Sequence, residues 1–282
     1  MDTVRPFLFE DLDIRGALVL LGPAWREMQA GRGYAPAVRN LLGEMAAVTS
    51  LVASNLKAPG RLTFHMQGRG PVRMLVVDCD EQLRMRAAAR ALVGTASASA
   101  HSLLGDGQLT LTLQVGSVSH PYQSLVPLEG KSVADIFGQY LTRSEQSPSR
   151  LWLHADGAHA CGLFLQKLPE ADDRDPDGWN RVQHLAATLR PEELALPAET
   201  LLPQLFPDET LRLFEPRHVA HHCPRDEAKV LGMLAALGRE EMERVLAEHG
   251  VIAIHDDICN HDYRFGREVL DQLFAPHSQT LH

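Results

Sequence analysis

Apolar residues spaced three and four apart mark the first clear element of the chain. Val38, Leu41, Leu42, Met45, Val48, Leu51 and Val52 predict a helix over 37–57. Pro36 precedes it, where a missing amide is harmless, and Pro59-Gly60 closes it. The pattern then changes to alternation. Leu62, Phe64 and Met66 alternate with polar neighbours as strand residues do, Gly68 and Gly70 make a turn, and 72–78 forms the returning strand. Leu109, Leu111, Leu113 and Val115 share one face of a further strand predicted over 109–118. A helix is predicted over 132–142, with strands over 151–153 and 162–165 around a turn at Asp156-Gly157.

Composition breaks over 169–178, where five acidic residues crowd together beside Pro169 and Pro176; this reads as a linker. Helical spacing resumes at Trp179, with Val182, Leu185, Ala186 and Leu189 on the same stripe. Leucine-rich helices punctuated by proline follow as far as Phe214, and their prolines and acidic lead-in favour an element of marginal stability. Two more helices are predicted over 224–237 and 239–249, Pro224 suiting the first turn of the former. A short strand over 251–254, a terminal helix and a frayed tail after Pro276 complete the chain, which carries no internal repeat.

The 282 residues include 45% hydrophobic and 22% charged side chains, enough apolar material for one large domain or two modest ones. A net charge of −9 with no basic tract argues against nucleic acid as a partner, because phosphates would be repelled. No apolar run approaches the roughly 20 residues that span a bilayer, so no membrane partner is expected. Residues 1–6 lack the features of a cleavable leader, and Cys79, Cys161, Cys223 and Cys259 are too dispersed for a disulfide framework. A reducing, cytoplasmic compartment is the expectation.

Catalytic chemistry is poorly represented. No serine elbow, catalytic carboxylate pair or dinucleotide fingerprint occurs, and no enzymatic activity is expected. Gly130-Lys131-Ser132 imitates the end of a phosphate-binding loop, yet Leu125 stands where that loop needs its first glycine; ATP is therefore not expected as a cofactor. His154, His159 and Cys161 bracket a tight turn at a spacing that matches no common zinc pattern, and read as a structural hairpin. Cys79 and Cys161 adjoin strands and read as packed thiols.

The densest polar chemistry lies near the C-terminus. His221-His222-Cys223-Pro224 is followed by His255-Asp256-Asp257-Ile258-Cys259-Asn260 and then Tyr263-Arg264-Phe265. This arrangement resembles the C-terminal switch of the redox-regulated 33 kDa chaperonin family, heat shock protein 33. That family carries Cys-x-Cys, a spacer, and Cys-x-x-Cys-Asn-x-x-Tyr-x-Phe. Further strings extend the likeness over nearly the whole chain: Ala35-Pro36-Ala37-Val38, Gln67-Gly68-Arg69-Gly70-Pro71-Val72, Pro121 to Leu128 with Ser144-Glu145-Gln146, Gly162 to Pro169, and Leu205-Phe206 with Leu211 to Phe214. One departure falls at Arg84–Arg90, where the family shows an Arg-Gly-Tyr type string and local change is expected.

The resemblance implies an α+β protein. Its parts are an N-terminal core with mixed and antiparallel sheets over 1–178, a metastable helical linker over 179–216 and a small zinc-knuckle-like α+β domain over 217–282. It also implies an ATP-independent holdase that binds unfolding client proteins under stress and acts as a homodimer.

Carried over by position, the zinc ligands would be His221, Cys223, Asp256 and Cys259, with His222, His255 and His261 as alternates. Imidazole and carboxylate can both ligate zinc, so a metal site stays chemically open. The other reading is a decayed site, with solvated histidines and cysteines acting as small hydrophobes. In either case the first cysteine of each family pair is missing. The redox residues Cys223 and Cys259 each lack a neighbouring thiol, so the family's two disulfides cannot form; one Cys223–Cys259 bridge remains open. Redox regulation is therefore expected to be weakened or altered. The alternative is a constitutive protein-binding module without metal or redox control.

Overall fold

At the N-terminus β1 (Thr3–Phe9) and β2 (Ile14–Leu21) pair antiparallel around a turn that holds Asp13 in the left-handed region. This computed structural model describes residues 2–56, 58–92, 99–116 and 120–274. Short α1 (Pro23–Gln29) leads to the long α2 (Pro36–Ser54), which ends a turn sooner than its apolar spacing predicts. A meander follows: β3 (Gly60–Gln67), β4 (Val72–Cys79), β5 (Arg84–Ala91), α3 (Ala100–Leu104), β6 (Gln108–Val115) and β7 (Tyr122–Val126). The expected end of the β6 strand, at Val118, lies outside the described residues. Helix α4 (Val133–Glu145) then leads to the hairpin of β8 (Ser149–Ala155) and β9 (Ala160–Lys167) around the expected turn.

The predicted linker at 169–178 contains a helical turn, α5 (Ala171–Arg174), with Ala171 buried. Next come α6 (Gly178–Ala186), a tight turn over Pro191–Ala195, and α7 (Ala198–Leu205). The leucine-rich stretch does not stay helical to Phe214. Leu211 and Leu213 alternate with Arg212, and this short β10 (Leu211–Leu213) completes the open edge of β1. Strands β11 (Arg217–His218) and β12 (Ala220–His221) continue it, β11 on β1 and β12 beside β5.

Two six-stranded sheets result. The first runs β10-β1-β2-β9-β8, with β11 also on β1; the second runs β12-β5-β4-β3-β6-β7. Helix α2 lies buried between them, its Leu42, Met45, Val48 and Leu51 sharing one core with Val19 and Phe164 of the first sheet and Phe64 and Val77 of the second. Gly43 permits this closeness, since a Cβ there would sit 2.5 Å from the Ala155 methyl. Thr49 and Ser50 satisfy their hydroxyls by donating to the Met45 and Ala46 carbonyls one turn back.

The outer face of the first sheet is covered too. Phe7, Phe9, Ile14, Leu18, Leu163 and Leu165 form a second core with residues of α6 and α7. Strand β9 therefore reads as an apolar run from Ala160 to Leu165, as strands buried on both faces do, with Gln166 its one buried polar residue.

The chain divides into two units, Met1–His222 and Cys223–His282. The second contains α8 (Glu227–Leu237), α9 (Arg239–His249), β13 (Ile252–Asp256), β14 (His261–Phe265) and α10 (Glu268–Phe274) around its own core of Leu234, Met242, Tyr263, Phe265 and Leu270. Helix α8 starts three residues after Pro224, because Asp226 accepts a hydrogen bond from the Lys229 amide and takes the cap. Pro224 is thus outside the helix it was expected to open. The tail after Pro276 lies outside the described residues.

Candidate functional site

Residues 257–260 join β13 to β14 in a turn built by Asp256. Its Oδ1 accepts from the amides of Ile258 (2.9 Å) and Cys259 (3.2 Å), and its carbonyl accepts from the Asn260 amide (2.7 Å). Asn260 is left-handed, a conformation its short polar side chain tolerates. Cys259, held by this turn, forms a disulfide with Cys223, their Cα atoms 5.4 Å apart. Neighbouring contacts fasten the same two segments. Tyr263 accepts a hydrogen bond from the Asp226 amide (3.1 Å), and the Arg225 guanidinium lies 4.8 Å above the Tyr263 ring while donating to the Asp262 carbonyl.

The remaining expected ligands are engaged elsewhere. His221 lies on β12 in the first unit, its Nδ1 3.6 Å from a Glu27 carboxylate oxygen. Burial pulls its imidazole below the ordinary range, and Glu27 pulls the other way. The His222 amide donates to the Met85 carbonyl. His255 pairs through Nδ1 with Asp262 at 2.9 Å, and this bond holds the Asp262 carboxyl below the usual carboxylate range. His261 stands opposite Asp256 across the β13–β14 ladder, with its Nδ1 buried and unpartnered.

Among the described residues no three His, Cys, Asp or Glu side chains converge as a metal site requires. Zinc takes four ligands in a tetrahedron, and a disulfide sulfur is not a thiolate. With Cys223 and Cys259 bonded to each other, the set His221, Cys223, Asp256 and Cys259 does not fit zinc in this form.

A second candidate feature is the apolar face beneath α6 and α7. Val182, Ala186, Leu201, Leu202 and Phe206 lie on Phe7, Phe9 and Leu163, with Phe206 edge-on to Phe9 at 4.9 Å. Arg181 clamps this cover by reaching Glu209 (2.8 Å) and Asp175 (2.9 Å), and Arg5 of β1 reaches Glu199 of α7 (3.1 Å). Nine and eight residues are too few for α6 and α7 to persist alone, since isolated helices under about 12–15 residues are marginal in water. Pro203 weakens α7 further by removing an amide donor from its interior.

Other sequence candidates have structural roles. Asp135 Oδ2 accepts from the amides of Lys131 and Ser132, and Ser132 caps α4, so the Gly130-Lys131-Ser132 string is a capping box. His154 and Cys161 are cross-strand neighbours in the β8–β9 hairpin, whose turn Asp156 braces through the amides of Ala158 and His159. Burial pushes the thiols of Cys79 and Cys161 up to about 12, which leaves them protonated and inert.

Sequence reasoning missed the β1–β2 hairpin, β5, β7, β10 to β12 and β14. The alternation Phe7-Phe9 and the even positions Ile14, Leu18 and Leu20, around Asp11-Leu12-Asp13, carried a readable hairpin signal; two-residue strands such as β11 and β12 carry none.

Comparison with known proteins places this geometry. A family model described as "Hsp33 protein" matches residues 2–266. The 33 kDa chaperonin of Nitrosococcus oceani is 40% identical, over 100% of this chain and 99% of its own length. That of Methylobacillus flagellatus is 38% identical, over 97% of this chain and 94% of its own. The crystal structure of the 33 kDa chaperonin from Thermotoga maritima shares the fold, with a TM-score of 0.82 at 20% identity over 97% of this chain and 98% of that one. No helix among the described residues is long and apolar enough to cross a membrane. The α+β core, the apolar face under the linker helices and the full-length likeness together identify the chain as a member of the Hsp33 family of chaperonins.

Proposed function

We propose that the chain is an ATP-independent holdase that captures unfolding client proteins on the outer face of its first sheet when the 179–216 linker lifts away. Chaperone function itself comes with membership of the family. The observation that supports this reading is the second core. Phe7, Phe9, Ile14 and Leu163 share a core with α6 and α7, helices too short to stand alone, and with Leu194, Leu211 and Leu213 beside them. Each such side chain loses about 1.5–3 kcal/mol on exposure, so the uncovered face would gain by binding the apolar segments of an unfolded chain. A homodimer as the active form and a cytoplasmic setting belong to the same proposal.

Redox control is read as weakened. The family's switch needs one disulfide within each cysteine pair, whereas both thiols of the C-terminal unit here are used in a single Cys223–Cys259 bridge. That bridge also favours a second reading, a constitutive protein-binding module without metal or redox control.

Light scattering from a thermally unfolding client, without ATP, tests the chaperone reading: suppression supports it and unhindered aggregation overturns it. Zinc content and activity of reduced and oxidised protein separate the two forms of regulation. Stoichiometric zinc in the reduced protein, with activity that changes on oxidation, supports altered control; equal activity and no zinc supports the constitutive module.

A further inference from the structure

A cavity of about 410 Å³ opens at the seam between the two sheets, where α2 ends. Its apolar lining is Leu51 and Val52 of α2, Leu56 just beyond that helix, Leu113 from β6, Leu141 from α4 and Phe164 from β9, with Asn55 beside them. Among the described residues one cation lines it. Arg15 of β2 stands opposite Gln166 of β9 in the strand register and donates from Nε to the Gln166 Oε1 at 2.6 Å. Gln166 is only 2% exposed, and its Nε2 donates in turn to the Ser149 hydroxyl at 3.2 Å. The guanidinium is therefore aimed by a buried amide whose oxygen and nitrogen are both engaged. Its two Nη groups have no hydrogen-bond or ion-pair partner among the described residues. Glu145, the carboxylate at the rim, is exposed and forms no ion pair with it.

Arg15 is half-buried beside apolar walls, and the planar fork of its guanidinium matches a carboxylate held by two parallel hydrogen bonds. The volume falls in the range of small-molecule sites, about 300–1,000 Å³, which are mostly apolar with a few placed polar groups. We propose that this cavity is a binding site for a carboxylate amphiphile, such as a medium-chain fatty acid, with the head on Arg15 and the chain among Leu51, Leu113, Leu141 and Phe164. The site draws on both sheets and two helices, so it exists only in the folded core. An occupant therefore stabilises the folded state by mass action. Neither the chaperone reading nor the state of the Cys223–Cys259 bridge enters this inference.

Calorimetric titration of the full-length protein with decanoate, below its micellar concentration, tests the proposal against decanol, which has the same chain and no charge. The expected result is one saturable site per chain, at least tenfold tighter for decanoate, with a matching rise in thermal midpoint. Arg15→Met should bring decanoate down to the decanol level. Val52→Trp, placed at a half-buried helix position, should fill the cavity and weaken both ligands. Circular dichroism establishes that each variant is folded. Binding at many weak sites, no preference for the carboxylate, or undiminished binding by both folded variants would overturn the assignment.

Discussion

Cys223 and Cys259 lie 36 positions apart in the chain, yet their Cα atoms are 5.4 Å apart across a disulfide that closes the C-terminal unit. Cross-linking a loop of that length restrains the unfolded chain by about 3–4 kcal/mol. Reduction, or Cys223→Ser, should therefore lower the denaturant midpoint of the C-terminal unit while the first unit keeps its own. Limited proteolysis under reducing and non-reducing conditions checks this; equal cleavage rates in 223–274 would sink it.

Arg181 holds two acids at once, and the Glu209 side chain is only 8% exposed. Arg181→Ala leaves that carboxylate without its cation beside the linker cover. The expected cost is about 1–2 kcal/mol, discounted for the part of the pair that water screens. Anti-aggregation activity at rest should rise in this variant, because the cover releases more readily. Unchanged activity alongside a lowered thermal midpoint would dissociate the cover from client capture.

The Phe7 ring lies across Gly16 on the neighbouring strand, so closely that a Cβ at Gly16 would sit 2.2 Å from it. Gly16→Ala must displace a ring that belongs to the covered apolar face. Overpacking of this kind costs about 1–3 kcal/mol. Urea unfolding of the single variant and of Gly16→Ala with Phe7→Leu measures it, the second change recovering part of the loss by making room.

Glu44 lies on α2 with no hydrogen-bond or ion-pair partner among the described residues, and burial pushes its carboxyl up to about 7. An unfolded chain releases the same proton near pH 4.3, the ordinary value for glutamate, or roughly so. Between these values the folded chain holds more protons, so its stability falls as pH rises through that window. Glu44→Gln should remove this fall: nearly neutral at about pH 4, and stabilising above about pH 7, by the same linkage. Denaturant midpoints across that range supply the measurement.

Periodic segments were legible from sequence because one face of each is buried. The spacing of Val38 to Val52 gave α2, and the alternation of Leu62 to Met66 gave β3. Leu211 and Leu213 fit a helical or an extended period equally over three residues, and only the open edge of β1 decides for the strand. At the candidate site, the resemblance left one Cys223–Cys259 bridge open, and the structure forms it. The sequence could not show that Asp256 spends its carboxylate on backbone amides, since that depends on the turn it builds. Arg15 carried no signal at all: its partner Gln166 lies 151 positions away and meets it only once β2 and β9 pair.

The strap formed by β10 to β12 has a consequence for synthesis. Strand β1 receives its outer neighbours from residues 211–218, so its outer edge has no partner until almost the whole first unit has been made. At about 5–20 residues per second, that interval is on the order of tens of seconds. The second sheet draws β3 to β7 from one contiguous stretch and can assemble during this time. The nascent chain therefore passes through a period in which Phe7 and Phe9 lie open before α6 and α7 have emerged. Order of synthesis, as much as the finished packing, thus decides how long this apolar face stays uncovered.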